Sequence, residues 1–193
     1  MLKKPKLNTD EILEAEYNYI ANTVFQANED RSRVASFYFV AVGSLVAAIL
    51  STLFSTSNLK NISLAFSGLF LVLTILGALT LAQLARLRAA WHESVQAMNA
   101  IKDFYIKHNK EIEPAFKWRL KTLPPTDKPN SIANLMALEV ALLSAITSAA
   151  SIYFLLLTLG DLEWWSWIIL IAAFFAGYIA QWTWYKHLLV DDQ

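Results

Sequence analysis

Two charge-free apolar runs, Val34–Phe54 and Ile62–Ala85, follow each other with only Ser55–Asn61 between them. An Arg-x-Arg pair stands outside each run, Arg31-Ser-Arg33 before the first and Arg86-Leu-Arg88 after the second. Crossing ~30 Å of hydrocarbon takes ~20 residues at a rise of ~1.5 Å each, and both runs meet that length. The pattern predicts a transmembrane helical hairpin whose two ends lie at the same surface.

A second pair of spans is predicted within Ile132–Leu159 and Trp164–Tyr185, separated by Gly160-Asp-Leu-Glu163, which is long enough only for a turn. The composition agrees: 56% of the 193 residues are hydrophobic and 17% charged, with a mean hydropathy of +0.39. An ordinary soluble domain is more polar than this. The expected fold is therefore an all-α polytopic membrane protein, with four transmembrane helices in two hairpins plus cytoplasmic amphipathic helices. Its expected divisions are an N-terminal helix over 1–33, the first hairpin over 34–85, a helical extension and Pro-containing linker over 86–130, the second hairpin over 131–186, and a tail over 187–193. Both hairpins start and end on one side, as a parallel repeat would, but no residue-level similarity relates them.

The flanks carry the orientation. Met1–Lys6 is basic but lacks the apolar run of a cleavable signal peptide behind it, so the first span is expected to act as the insertion signal. From Asn8, with Glu11 three residues on, the pattern is that of a capped amphipathic helix with Leu13, Tyr17, Ile20 and Val24 on its apolar face. Its other face is acidic, which suits a protein partner better than a lipid surface. Beyond Ala85 nothing stops the second helix, and Leu87, Trp91, Val95, Met98 and Ile101 continue an apolar stripe. That stripe needs a cover, and the N-terminal helix is expected to supply it through Tyr17, Ile20 and Val24 against Leu87, Trp91 and Met98. Thr122-Leu-Pro-Pro-Thr-Asp-Lys-Pro-Asn130 cannot be helical and is the linker between halves. Lys and Arg crowd the N-terminal arm and the central segment, whereas the two short turns hold only Lys60. By the positive-inside rule both termini are expected in the cytoplasm, with the bacterial inner membrane as the location.

Polar residues inside the spans are the candidate sites. Ala137, Ala141, Ser144, Ser148 and Ser151 form a small-residue stripe that can pack on Ala173, Ala176, Gly177 and Ala180 of the fourth span, or can line a path between copies. Glu139 is the one acid within the apolar stretches. It is a proton or cation site if deep, or an ion pair with Arg86, Arg88 or Lys128 if it lies at the boundary. Arg31, Arg33, Arg86 and Arg88 are expected to hold anionic head groups.

Enzymatic chemistry finds little to work with. There is no cysteine, and the three histidines, His92, His108 and His187, are not spaced with carboxylates as a metal site needs. Arg86 and His92 fit the short Arg-x(4 to 6)-His pattern of HEPN-type ribonucleases, but no phosphate loop or nucleophile elbow accompanies them. With 16 basic and 16 acidic residues the chain has no net field to favour nucleic acid. No catalytic residue, metal or cofactor is expected; the expected partners are the lipid bilayer and either further copies of the chain or another membrane protein. In layout Asn8–His108, an amphipathic helix, a hairpin with basic ends and a long exiting helix, resembles SLATT-type proteins of bacterial conflict systems. That resemblance implies a membrane-disrupting effector role, from which the second hairpin departs. The run from Asn28 to Phe39 is similar to uncharacterised bacterial four-span proteins. The sequence thus leads to two expectations, an oligomeric channel-like or membrane-effector component and a small accessory or scaffold subunit of a larger complex.

Overall fold

A computed structural model describes residues 8–55 and 59–191. The basic start Met1–Lys6, the middle of the first turn at 56–58 and the end of the tail at 192–193 lie outside the described residues. Four helices account for most of the chain: α1 (Thr9–Ser55), α2 (Leu59–His108), α3 (Ile132–Leu159) and α4 (Trp164–Asp191). Two short 3-10 turns, Lys110–Ala115 and Leu120–Thr122, lie between α2 and α3. There is no strand among the described residues. Each of the four helices contains a stretch long and apolar enough to cross a membrane, so the chain is an all-α polytopic membrane protein.

The largest departure from expectation is that the N-terminal helix and the first span are one helix of 47 residues. The change of composition at Arg31 suggested a boundary, but no Gly or Pro stands between Thr9 and Val42 to break the backbone ladder. α2 is likewise continuous over 50 residues. At ~1.5 Å per residue it is ~75 Å long, well beyond the ~30 Å of a hydrocarbon core. α3 starts where its signals say it should. Asn130 adopts a left-handed conformation with φ 58°, and the Ser131 side chain accepts the Asn134 amide as N-cap.

The chain divides into two compact units, Met1–Asp30 with Leu87–Thr126, and Arg31–Arg86 with Asp127–Gln193. The second, the apolar unit, holds most of the core. Tyr38 and Val42 of α1, Leu81 and Leu84 of α2, Val140 and Ala141 of α3, and Tyr185 and Leu189 of α4 are all buried in it. Phe154 of α3 lies between two rings of α2, edge-on to Phe66 at 5.3 Å and stacked on Phe70 at 5.6 Å. Such aromatic pairs add about 0.5–1.5 kcal/mol each beyond their buried area. Phe37, Leu71, Ile146 and Ile168 turn outwards, as suits helices solvated by lipid.

The first, smaller unit contains the polar end of α1, the extension of α2 and the connector with its 3-10 turns. Ile20, Ala27 and Ile106 are buried in it. Arg88 fastens the connector, because its Nε donates to the Thr126 carbonyl at 3.0 Å and its guanidinium lies 4.4 Å over the Trp91 ring.

Candidate functional site

Polar groups in the apolar unit are gathered into one ladder between α2 and α3. At one rung Ser67 Oγ donates to the Ser151 carbonyl at 2.8 Å while Ser151 Oγ donates to the Ser67 carbonyl at 2.9 Å. Two turns along, the Thr74 and Thr147 hydroxyls meet at 3.0 Å. Ser144 Oγ then donates to the Thr74 carbonyl at 3.2 Å and accepts from Gln181 Nε2 of α4 at 2.8 Å. Ser and Thr serve here because their short side chains let helix backbones approach while the hydroxyl finds a carbonyl on the other helix. Gly77 completes the approach. A Cβ at that position would stand 2.6 Å from Ser144 Cβ and 2.7 Å from the Tyr38 hydroxyl. The Tyr38 hydroxyl sits beside Ser144 and Thr147 without a partner in full hydrogen-bond geometry.

This arrangement redirects the serine stripe. Ser144 and Ser151 are buried and engaged inside the chain, so their hydroxyls are unavailable to a path between copies. Ser148 is half-buried, and its Oγ lies 3.3 Å from where a Cβ on Gly177 would stand. α3 does pack on α4, as the small residues suggested, and Ser144 meets Gln181 across that contact, but the carbonyls to which Ser144 and Ser151 donate are on α2. A signal for this stands in the sequence: Ser63, Ser67, Thr74 and Gly77 follow the same heptad spacing on α2 as the stripe does on α3.

No ion pair of Glu139 with Arg86, Arg88 or Lys128 is present among the described residues, and Glu139 and Arg86 are both exposed. Glu139 shares an outward stripe with Ile132, Leu135, Leu142 and Ile146. Gln83 is exposed and lines a groove of about 360 Å³ with Arg33, Phe37 and Leu79. Of the four arginines expected at head groups, Arg33 and Arg86 are exposed, whereas Arg31 is 8% and Arg88 6% exposed. The buried pair cannot reach lipid, because both guanidinium groups are engaged within the protein.

In the smaller unit the apolar faces meet around two cavities. Leu13 and Tyr17 of α1 share the first, of about 450 Å³, with Ile101 and Tyr105 of α2. Val24 of α1 shares the second, of about 340 Å³, with Trp91 and Met98 of α2 and with Trp118 and Leu123 of the connector. Ile20 is buried between these positions in sequence, and Leu87 is half-buried. Asn99 and Arg119, which also line the second cavity, drew no attention as sequence because an isolated Asn on a helix has no distinctive spacing.

His92 and Arg86 both lie on α2, Arg86 at the end of the apolar unit's stretch and His92 in the smaller unit. His92 Nδ1 instead lies 3.3 Å from Gln96 Nε2. Partial burial and then the neighbouring Arg88 cation hold the His92 pKa below the ordinary histidine value. No group of three or more metal-ligating side chains is present among the described residues. Comparison with family models, with curated proteins and with solved structures returns no match.

Proposed function

We propose that this chain is a non-enzymatic protein of the bacterial inner membrane, with both termini cytoplasmic, that works by association as a small accessory or scaffold subunit of a larger membrane complex. The observation that carries this reading is the polar end of α1, where Tyr19 is 68% and Phe25 65% exposed among acidic residues. Exposed aromatics on a stretch that carries Glu14 and Glu16 and has no Lys or Arg before Arg31 suit a protein surface, whereas a lipid-seeking helix carries Lys and Arg there. A photo-crosslinking phenylalanine at Tyr19 or Phe25 should join the chain to one discrete membrane protein in native membranes. Adducts to lipid alone would overturn the reading.

A second reading, an oligomeric channel-like or membrane-effector component, is favoured by Glu139. A carboxylate turned outwards from an apolar stripe is costly in lipid and calls for a neighbour. Mass measurement in nanodiscs separates the two. A closed ring whose ion conductance changes in Glu139→Gln supports the channel, and a monomer or dimer without conductance supports the accessory subunit. Loss of a nuclease activity in His92→Ala would overturn both.

A further inference from the structure

We propose that the outward stripe of α3 seats in the groove between α1 and α2 of a second copy of this chain, so that the Glu139 carboxylate of one copy accepts from Arg33 and Gln83 of the next. This contact deepens the oligomeric reading and rests on it.

Contacts between the helices fix the depth of each group. A Cβ on Gly77 of α2 would stand 2.6 Å from Ser144 Cβ of α3, so these two positions face each other. α2 and α3 run in opposite directions, since Ser67 meets Ser151 while Thr74 meets Thr147. Five residues from Ser144 towards the start of α3 lies Glu139, and five from Gly77 towards the end of the apolar run lies Ala82, beside Gln83. Glu139 and Gln83 are therefore at nearly one depth, ~8 Å from the Ser144 rung at ~1.5 Å per residue. The groove of about 360 Å³ is lined by Arg33, Phe37 and Ala41 of α1 and by Leu76, Leu79 and Gln83 of α2. Its numbering rises along one wall as it falls along the other, so Arg33 and Gln83 close one end and Ala41 and Leu76 the other. The polar end is level with Glu139.

Copies inserted in one membrane share orientation and depth, so a side chain meets only what lies at its own level on a neighbour. Glu139 is exposed and has no ion pair or hydrogen bond among the described residues. Lys186, which the packing of Gly177 on Ser148 sets at the same depth on α4, holds its ammonium 5.6 Å over the Trp182 ring. A carboxylate turned towards lipid is costly without a partner. Arg33 has a contact within its own chain, but a guanidinium carries five N–H donors and the Gln83 amide adds two. Further along the stripe, Leu142 and Ile146 come level with Leu79 and Leu76, so an apolar ridge meets the apolar part of the groove. Two α3 stripes facing each other would instead set Glu139 against Glu139, and like charges repel. Ridge into groove is a head-to-tail contact, the kind that repeats into a ring.

The chain has no cysteine, so two single-cysteine variants, Phe37→Cys and Leu142→Cys, can be co-expressed in one membrane and oxidised. Both replace exposed side chains and leave the fold in place. A disulfide between unlike chains is expected, in preference to either variant with itself. Adding Glu139→Gln to the Leu142→Cys chain should slow its formation roughly tenfold, as the loss of hydrogen bonds to a charged group does. Mass in nanodiscs supplies the independent reading. A protein that is oligomeric by mass but forms no disulfide between unlike chains, joins Leu142→Cys chains to each other, or crosslinks equally well with Glu139→Gln would overturn this contact and leave the oligomeric reading standing. A monomer by mass without a disulfide would overturn both.

Discussion

The two units differ in whether buried hydroxyls tie one helix to the next. In the apolar unit Ser67, Ser144 and Ser151 each donate to a carbonyl on a neighbouring helix. In the smaller unit Asn99 Nδ2 and Arg119 Nε are left without acceptors beside a cavity. A serine hydroxyl in hydrocarbon has no water to fall back on, so small residues bring α2 and α3 close enough to satisfy it, although the Tyr38 hydroxyl and Gln181 Oε1 of the same unit stay without a partner.

The comparison breaks most sharply at Gly77. Gly77→Leu drives a side chain into Ser144 and Tyr38 and should destabilise the apolar unit by about 1–3 kcal/mol or more, seen as a lowered thermal midpoint in detergent. An unchanged midpoint would show that α2 and α3 do not approach closely there. Next in size, Ser67→Ala and Ser151→Ala should each cost about 0.5–1.5 kcal/mol, because each removes a hydroxyl that donates to the other residue's carbonyl. No loss of stability in either variant would remove the ladder from the account. In the smaller unit the sign should reverse, with Asn99→Leu gaining about 1 kcal/mol by removing a buried donor that has no partner. Destabilisation would mean that Nδ2 is already satisfied.

The smallest effect is a pH dependence. Because the folded His92 pKa is lowered, the unfolded chain takes up its proton first. Stability of the smaller unit should therefore fall as pH drops below about 6.5. His92→Asn should flatten that slope between about pH 5 and pH 7, and an identical slope would assign it to other groups.

The four spans were legible because charge-free runs of membrane length admit few structures, and the linker because Pro124, Pro125 and Pro129 forbid a helix. The polar residues were harder. Periodicity tells which residues share a face, but the neighbour that face meets depends on rotations set by the whole bundle. The stripe points Ser144 to the fourth span, where it does meet Gln181, but nothing in its spacing names its carbonyl partner, Thr74 on the second. Arg31 and Arg88 were assigned to lipid for the same reason, since their position along the chain is clear while the side to which they turn is not. The helix of 47 residues was divided in two because a change from acidic to apolar composition resembles a boundary, yet only Gly, Pro or a capping residue can end the backbone ladder.

The reciprocal exchange between Ser67 and Ser151 also bears on how the protein is made. These residues are separated by 84 positions, so during synthesis the first hairpin is available to the bilayer before α3 has been translated. Its hydroxyls must wait on carbonyls of their own helix, as Thr74 still does with Phe70 at 3.0 Å. Exchange of partners then belongs to the later lateral joining of inserted helices. A chain arrested after α2 would enter the membrane with these hydroxyls resting on their own backbone, inserted but unassembled.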